Sequence, residues 1–424
     1  MNPLKSLKIS ETLKQTKQRR TGQVCKVYEL KIDKSHLSST TKEALKMMFI
    51  EAKWLYNHTI ASNPFEIDTK IRRVQVKVDN NFEIRELKNL PSQIKQELIY
   101  RIRDSIKSLS KLKESGHKVG SLKFKSTIHT LPLKQYGRTY KILNNRYIRI
   151  QGIKQKIRVM GLEQIPEGAE IANANLISKH GDYFLKVTAY LPKEQSDTPS
   201  QAIGMDLGIK EQITFSNGIV VRYRVNNNVK RLRKLYQKLS RTQKGSNNRL
   251  KVGDKLQKEF DRINNKKRDI RNKIVSYLRR SYRVVCFQDD NIRGWQRIWG
   301  SRIFETSIGG IIGTLRERIH TPVEVSRVYP STKLCSQCDC IKRKRIELNE
   351  RLYICEFCGA VINRNYNSAR NILFEGLTLL PTERREVKPV ETVASTIAML
   401  EYLNSIPHVK ASLAYESGSL NDLA

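Results

Sequence analysis

Long apolar runs are missing from the 424-residue sequence, and so are internal repeats and low-complexity tracts. A membrane-spanning helix needs roughly 18 or more consecutive apolar residues, so no membrane partner is expected. Residues 1–20 also lack the apolar core of a secretory signal peptide. We therefore expect a cytoplasmic protein, with enough chain for two or three domains that each bury a core.

Acidic residues are scarce, because 41 aspartates and glutamates stand against 79 lysines and arginines. The formal net charge is +38 and the isoelectric point is near 10. An excess of this size is more than solubility requires and indicates a polyanionic partner, namely a nucleic acid. Residues 377–424 hold four basic and six acidic side chains. We therefore expect this C-terminal tail to lie outside the nucleic-acid-binding surface.

Cysteine is rare outside one short segment, because five of the seven cysteines lie between residues 335 and 358. Such clustering favours metal ligation in a reducing compartment over a disulfide framework. Two Cys-x-x-Cys pairs, separated by 16 residues, have the spacing of a four-cysteine zinc site. The predicted ligands are Cys335, Cys338, Cys355 and Cys358.

Four thiolate ligands leave no open coordination position, so the predicted zinc is structural, with one ion per chain. Residues 342–354 are expected to form a short hairpin that joins the two Cys-x-x-Cys turns. Cys340 is a fifth thiol in this segment. It could replace Cys338 as a ligand or remain free.

Hydrophobic periodicity divides the first half of the chain into helical and strand-like segments. Residues 1–23 form a basic leader that we expect to be disordered. Alternating apolar and polar residues predict a strand at 24–32 and an antiparallel sheet or barrel at 121–192. Apolar residues at helical spacing predict a helix within 42–60 and another within 89–113.

The second half follows a polar segment, 193–201, which is the predicted linker. Residues 203–224 alternate as a strand, a turn and a strand. Residues 229–280 contain 19 basic and four acidic side chains. Their apolar residues recur about every 3.5 positions, which predicts a long helical hairpin with a basic exterior. The remaining predicted elements are a strand at 283–287, a helix at 309–319, a strand at 323–328 and a helix at 365–376.

Three short motifs place acidic or amide side chains at the ends of predicted elements. Asp206 lies inside an apolar strand, GMDLG, where a buried acid is costly unless it is used. The motif QDDN, 288–291, ends the next buried strand. The motif NRN, 363–365, opens the helix that follows the cysteines.

The ordered set of motifs resembles the TnpB family, which consists of insertion-sequence-encoded, RNA-guided nucleases ancestral to the compact type V CRISPR effectors. The resemblance rests on GMDLGIKE, FQDDNI, the CSQC and CEFC pairs, NRNYNSARNI, GSLKFKS at 120–126 and LPSQ at 90–93. It implies a multidomain α+β fold with a β-barrel wedge and a helical recognition lobe. A mixed α/β domain of the RNase-H-like (RuvC) type, carrying a zinc-knuckle insertion, completes the implied fold.

The resemblance also implies the domain boundaries. The implied regions are a basic leader at 1–23, a wedge barrel at 24–200 with the recognition lobe inserted at about 40–120, the first part of the RuvC-like domain at 201–334 with the basic hairpin at 229–280, the zinc knuckle at 335–360, the last RuvC-like segment at 361–376 and a tail at 377–424.

Members of this family use three carboxylates to hold two Mg²⁺ ions that hydrolyse a phosphodiester bond. Asp206 matches the first carboxylate. Gln288 stands at the second, where the family has glutamate, although Asp290 shares its strand face and could supply an acid. Asn365 stands at the third, where the family has aspartate. The resemblance therefore implies an RNA-guided DNA-binding protein that has lost its nuclease activity and could block transcription at its target.

The implied partners are a guide RNA and a double-stranded DNA target, with Mg²⁺ bound only if the nuclease is active. Predicted nucleic-acid contacts come from the basic hairpin and from the matched motifs. They are Lys230, Arg231, Arg233, Lys234, Arg241, Lys125, Gln93 and Arg364.

Other functions stay open at this point. One is an active Mg²⁺-dependent endonuclease that supports transposon maintenance, with Asp206 and Asp290 sufficient for cleavage. Another is a zinc-ribbon DNA-binding protein that uses no guide. A DNA-strand transposase is disfavoured, because the sequence has no histidine–hydrophobic–histidine motif paired with a catalytic tyrosine. Metal-dependent cleavage and dependence on RNA distinguish these alternatives.

Overall fold

Contacts within the computed structural model divide the chain into two compact units, Met1–Gln195 and Ser196–Ala424. The structure describes residues 3–78, 81–193, 201–223, 225, 229–344, 346–347, 350–381 and 393–414. Most of the predicted linker, 193–201, therefore lies outside the described residues. None of the described helices has the length and apolar character needed to cross a membrane.

The first unit combines a large sheet with helices and a small hairpin. In chain order its elements are α1 (Pro3–Thr21), β1 (Gln23–Ile32), α2 (Ser39–Ala61), β2 (Arg73–Val78), β3 (Asn81–Glu86), α3 (Ser92–Glu114), β4 (Thr130–Leu133), β5 (Tyr140–Ile142), β6 (Tyr147–Ile150), β7 (Ile157–Met160), β8 (Glu170–Lys179) and β9 (Asp182–Pro192).

Seven of these strands form one antiparallel sheet with the order β4-β8-β9-β1-β7-β6-β5. Its two edge strands, β4 and β5, are consecutive in the chain, so the sheet curls into a nearly closed, barrel-like form. Leu30, Ile32, Leu185 and Val187 are almost fully buried within it, and their neighbours along each strand are more exposed. The alternation seen in the sequence therefore predicted the strand at 24–32 and the sheet within 121–192 correctly.

Helices α2 and α3 pack together through apolar side chains that include Leu45, Leu55 and Ile99, all of them fully buried. The Ser38 side chain caps α2 by accepting a hydrogen bond from the Thr41 backbone N–H. Both helices were predicted. The hairpin β2–β3 was not, although its alternating residues carry a strand signal.

Most of the basic leader, Pro3–Thr21, is helical, so the prediction of disorder was wrong for these residues. Helix α1 contains no glycine and is rich in lysine, leucine and glutamine, which favour helix. Its last turn is held by ion pairs from Arg19 and Arg20 to Glu170, each 2.9 Å long. The Arg20 guanidinium also lies 4.0 Å from the centroid of the Tyr190 ring. These contacts with β8 and β9 supply the tertiary support that the sequence pattern did not reveal.

The second unit is a mixed sheet covered by helices. In chain order its elements are β10 (Ala202–Leu207), β11 (Ile213–Phe215), β12 (Ile219–Tyr223), α4 (Val229–Arg241), α5 (Asn247–Ser281), β13 (Val284–Gln288), α6 (Ile292–Thr306), α7 (Ile308–Arg318), β14 (Thr321–Val325), β15 (Leu352–Ile354), β16 (Val361–Asn363), α8 (Arg364–Thr378), α9 (Val393–Ser405) and β17 (Val409–Leu413).

The main sheet of this unit has the order β14-β13-β10-β11-β12-β17. Strands β10, β11 and β12 form an antiparallel meander, whereas β13 and β14 run parallel to β10. Strands β13 and β10 are buried on both faces, as expected for parallel strands covered by helices. The carboxyl ends of β10 and β13 therefore lie at the same edge of the sheet.

The predicted basic hairpin consists of α4 and α5, and α5 buries one face that includes Ile263, Ile270 and Ile274. Part of the C-terminal tail also belongs to the second unit. Strand β17 pairs with β12, and α9 places Met399 and Leu403 in the core. No structure was predicted for this tail from the sequence.

Candidate functional site

The candidate site lies where β10, β13 and α8 meet. Strands β10 and β13 are parallel neighbours, with Met205 opposite Phe287, so Asp206 and the residues after β13 share one sheet edge. Helix α8 packs closely on β10 because Gly204 has no side chain. A Cβ atom at Gly204 would lie 2.3 Å from the Ala369 carbonyl oxygen. Glycine is therefore required for this approach.

Asp206 is half-buried at this edge, where its Oδ1 accepts a hydrogen bond of 3.1 Å from the Ser368 hydroxyl. The pKa of Asp206 is raised to about 7, chiefly by desolvation and next by the charge of Asp290, with a smaller increase from Glu211 and opposing decreases from Ser368 and Arg364. Burial likewise raises the pKa of Asp290 to about 7. The site therefore holds two carboxyl groups whose pKa values are raised above the ordinary range.

The side-chain oxygen of Gln288 has its own hydrogen-bond partner and is not free toward Asp206 and Asp290. Its Nε2 donates to the backbone carbonyls of Ser326 and Tyr329, each at 2.9 Å. Its Oε1 accepts from the Ser331 hydroxyl at 2.8 Å. A glutamate could not make the two donated bonds, so the structure uses the side-chain amide of Gln288 specifically.

The same loop is tied to α8. The Ser368 hydroxyl lies 3.1 Å from the Ser331 hydroxyl, which links Gln288 to Asp206 through two hydroxyl groups. Asn371, also on α8, donates through Nδ2 to the backbone carbonyls of Ser331 and Leu334. The segment between β14 and the first cysteine pair is therefore fixed against the candidate site.

Asn365 is engaged as well, because its Nδ2 donates to Glu211 Oε2 at 2.9 Å. The other oxygen of Glu211 accepts from Arg222. Glu211 is a further carboxylate of the site. It was not among the site residues predicted from the sequence, although it lies within the motif GMDLGIKE. The carboxylate of Glu211 lies beside the neutral side chain of Asn365.

The two aspartates after β13 behave differently. Asp289 pairs with Arg327 and lies 3.8 Å from Arg316. Asp290 is half-buried, and its charge raises the pKa of Asp206. Of the two, Asp290 is therefore the one that contributes its charge to the site.

These donors do not fit a two-ion Mg²⁺ site. Within the part of the chain that the structure describes, only the cysteine cluster brings three or more potential ligands within reach of one ion. The carboxylates of Asp206, Asp290 and Glu211 do not converge in that way. Gln288 is neutral, and its Oε1 already accepts a hydrogen bond from the Ser331 hydroxyl, so this position adds no charge for holding a divalent ion.

The four predicted cysteine ligands do come together, with all sulfur atoms within 4.8 Å of one another. Cys335 Sγ lies 3.8 Å from Cys358 Sγ, and Cys338 Sγ lies 3.6 Å from Cys355 Sγ. The backbone N–H of Cys358 and other local donors lower the pKa of the Cys355 thiol, which favours the thiolate. This donor set fits a tetrahedral metal such as zinc.

The fifth thiol, Cys340, is not part of the group, and its backbone carbonyl accepts a hydrogen bond of 3.0 Å from the Cys335 N–H. The predicted hairpin at 342–354 lies partly outside the described residues, and its last strand pairs with a segment beyond it. Strands β15 and β16 pair across the second cysteine pair, and a single bridge between Leu334 and Ile341 closes the first. Each Cys-x-x-Cys turn thus sits at the tip of its own short ladder.

The predicted nucleic-acid contacts fall in different places. Five basic side chains are exposed on α4, namely Lys230, Arg231, Arg233, Lys234 and Arg241. Arg231 is also 3.4 Å from Glu259 of α5. In the first unit, Lys125 lies over the Tyr56 ring at 4.2 Å, and Gln93 donates to Gln135. Arg364 is half-buried beside the acid site, where its Nη1 donates to the Glu347 carbonyl.

Comparisons with known proteins match these regions. A family described as "Probable transposase" (OrfB_IS605) matches residues 184–296, and the Cas12f1-like TNB domain matches residues 315–372. A Streptomyces pristinaespiralis protein named "Putative RNA-guided DNA endonuclease" is 26% identical over 266 residues. That match covers 60% of this chain and 65% of the relative.

TnpB-like proteins L79 and L770 of Acanthamoeba polyphaga mimivirus are each 24% identical over 218 residues, covering 46% of this chain and 41% of each relative. The chain thus spans less than two thirds of the length of these curated relatives. A cryo-EM structure of a Cas12f1–sgRNA–target DNA complex aligns with a TM-score of 0.47 at 13% identity. The alignment covers 83% of this chain and 99% of that one.

Proposed function

Because the chain belongs to the TnpB family, we propose that it is an RNA-guided DNA-binding protein whose own nuclease activity is lost or strongly impaired. It would bind a guide RNA and a double-stranded DNA target, and occupy that target in the cytoplasm, at the nucleoid. A bound protein that does not cut could repress transcription there. The +38 net charge supports nucleic acid as the partner.

The fold of the second unit supports a RuvC-like assignment. An antiparallel meander, β12-β11-β10, is continued by the parallel strands β13 and β14, and α8 packs across β10. This strand order supports the proposal of an RNase-H-like domain, with acidic residues at the ends of the central strands. The four-cysteine cluster between β14 and α8 would bind one structural zinc ion.

The proposed loss of nuclease activity rests on the hydrogen bonding of Gln288. Its amide donates two hydrogen bonds and accepts one, and all three hold the loop at 326–331. The residue at the position of the family's second carboxylate thus has a structural role that requires a neutral amide. Two-metal hydrolysis needs carboxylates that hold both ions and lower the pKa of the attacking water.

The test separates binding from cutting. The RNA that copurifies with the full chain is sequenced, and a duplex matching it is offered together with a mismatched duplex of the same length. We expect tight binding of the matched duplex alone, and no cleavage in millimolar Mg²⁺ or Mn²⁺. Equal binding of matched and mismatched duplexes, or binding without RNA, would instead favour a zinc-ribbon DNA-binding protein without a guide.

A second candidate function is an active endonuclease with rearranged ligands. It is favoured by the half-buried pair Asp206 and Asp290, with Glu211 nearby, because carboxyl groups with raised pKa values are a feature of functional sites. An active enzyme of this kind would cut the matched duplex in a metal-dependent way without any substitution. Cleavage that is abolished by Asp206→Ala and by Asp290→Ala would establish it and rule out the loss of nuclease activity.

A further inference from the structure

A second site is suggested by a cavity of about 760 Å³ in the first unit, formed by the C-terminal ends of α2 and α3 and the segment 117–122. The volume lies within the range of roughly 300–1,000 Å³ that is typical of small-molecule sites. Its apolar lining consists of half-buried side chains of Ile60, Pro64, Ile106, Leu109, Val119 and Leu122.

The wall of the cavity is fixed at both ends. Helix α3 closes with Gly116 in the left-handed conformation, at φ +81°, and the His117 N–H donates to the Leu112 carbonyl. At the other end, Asn57 forms two hydrogen bonds of 2.9 Å with the backbone of Lys125, one donated and one accepted. The segment between these anchors is therefore held in place across the helix ends, and the cavity is preformed.

The wall also offers polar groups. Among the described residues, the backbone N–H and C=O groups of 118–122 have no hydrogen bond to protein atoms, and the segment is largely exposed, so these groups are open to a ligand or to water. Ser110 and Ser121 add hydroxyl groups to the lining. The cavity thus combines an apolar floor with donors and acceptors along one edge.

The charges around the cavity have one sign. Lys113 and Lys118 lie at its wall together with His117, and the lining contains no acidic residue. An apolar floor with polar edge groups suits a nucleobase, and lysines beside it suit the attached phosphate. An apolar peptide would match the floor but would leave the two lysines without a partner.

We infer that this cavity receives one unpaired nucleotide of the bound RNA, with its base against Leu109 and its phosphate near Lys113 and Lys118. The inference rests on the proposed function, because it takes RNA to be the resident partner. It adds to that function a discrete base-binding site, in which the chain reads an extruded nucleotide in addition to neutralising the backbone.

The experiment compares two variants of the full chain that add the same side chain to different places. Ser121→Trp fills the cavity without changing charge. Ser105→Trp places the same bulk on the exposed part of α3 outside the cavity lining. We expect Ser121→Trp to weaken binding of the copurifying RNA about tenfold, because the indole would take the space of the base, and Ser105→Trp to leave it within about twofold. Circular dichroism and thermal melting should show that both variants fold.

A crosslinking readout keeps the inference testable if Ser121→Trp fails to fold. In unmodified protein loaded with 4-thiouridine-labelled RNA, we expect crosslinks within the peptide 106–122 from one defined uridine or its neighbour. Crosslinks to that peptide from a labelled DNA strand instead would overturn the assignment to RNA. Equal RNA affinity of the two tryptophan variants would overturn the cavity site, whereas failure of the unmodified protein to bind RNA would overturn the proposed function itself.

Discussion

Two amide side chains decide the chemistry of the candidate site. Gln288 holds the loop at 326–331, and Asn365 donates to Glu211. Each occupies a position at which the family resemblance expects a carboxylate, and each has a partner that accepts a hydrogen bond. Both amides therefore have partners that suit an amide and not a carboxylate. Changing either one to an acid would place a negative charge against an oxygen that now accepts a hydrogen bond.

Gln288→Glu should destabilise the second unit by about 1–3 kcal/mol, because two backbone carbonyls lose their donor and face a carboxylate. The measurement is the free energy of unfolding in urea. Gln296→Glu is the matched control, since Gln296 is exposed on α6. Equal stability of the two variants would show that the Gln288 hydrogen bonds contribute nothing.

The sequence alone predicts that Gln288→Glu combined with Asn365→Asp restores some cleavage. In the structure, the carboxylate introduced by Asn365→Asp would face that of Glu211, where the Asn365 amide now donates across 2.9 Å. We therefore expect the double variant to cut a matched duplex less well than a triple variant that also carries Glu211→Gln. Gel assays in Mn²⁺ measure this, and better cutting by the double variant would show that Glu211 is needed as an acid.

The half-buried carboxyl of Asp206 should make stability depend on pH. Its folded-state pKa of about 7 is above the unfolded value, so the folded state binds more protons between about pH 4 and pH 7. Stability is then lost as the pH rises through this window, at about 1.4 kcal/mol for each unit of pKa difference. Asp206→Asn removes the ionisation.

The stabilisation of Asp206→Asn over the unmodified protein should therefore be larger at pH 8 than at pH 5, as measured by urea unfolding. Glu401→Gln is the control, because Glu401 is exposed on α9 and its substitution changes the net charge equally. An equal increase in the free energy of unfolding of Asp206→Asn at both pH values would contradict the raised folded-state pKa of Asp206.

At the scale of elements, the cysteine cluster and α8 form one structural block. Asn367 of α8 accepts a hydrogen bond from the Ser336 N–H and donates to the Leu334 carbonyl, on either side of Cys335. Ser368, the next residue of the helix, contacts Asp206. Metal binding by the cysteines should therefore order the N-terminal turn of α8 and, through it, the candidate site.

Cys355→Ser should lose the zinc ion, and with it local folding energy on the order of 10 kcal/mol. We expect elemental analysis to give no zinc, and hydrogen exchange to accelerate in residues 331–341 and 364–371. Cys340→Ser is the matched control and should keep one zinc per chain, because Cys340 lies outside the cluster. Loss of zinc from Cys340→Ser would show that Cys340 is a zinc ligand in place of one of the four assigned cysteines.

At the scale of the whole molecule, net charge governs association. The chain carries a charge of +38, and α4 exposes basic side chains with few acidic partners. Each phosphate contact releases counterions, so affinity for single-stranded RNA should fall with salt, at about 0.7 per contact on a logarithmic scale. The basic residues of α4 are expected to supply several of those contacts.

Replacing Lys230, Arg231, Arg233 and Lys234 together with glutamine should flatten the salt dependence by about two to three contacts. The count stays below four because Arg231 already lies near Glu259. A variant with Arg231→Lys and Arg233→Lys keeps the charge and should keep the slope. Filter binding between about 50 mM and 400 mM salt measures both, and unchanged slopes in the glutamine variant would remove α4 from the interface.

Elements with a local signal were predictable from the order of residues alone. Alternation predicted the strands of the barrel-like sheet together with β10 and β12, whereas β11 falls in the segment that was predicted as a turn. Helical spacing predicted α2, α3 and the basic hairpin of α4 and α5. Cysteine spacing predicted which four cysteines come together, because two Cys-x-x-Cys turns need only meet to form a tetrahedral cluster. The assignment of Asp206, Gln288 and Asn365 to one site stays a prediction that rests on the family resemblance.

Features that depend on contacts between distant segments required the folded chain. Helix α1 is held by Glu170, and β17 completes the sheet by pairing with β12. Hydrogen bonding across 38 to 43 residues commits Gln288 to the loop, and Asn365 meets Glu211 over a separation of 154 residues. A sequence motif specifies which group stands at a position, but the partners that fix its role come from other parts of the chain, because burial makes each polar group depend on what folding places beside it.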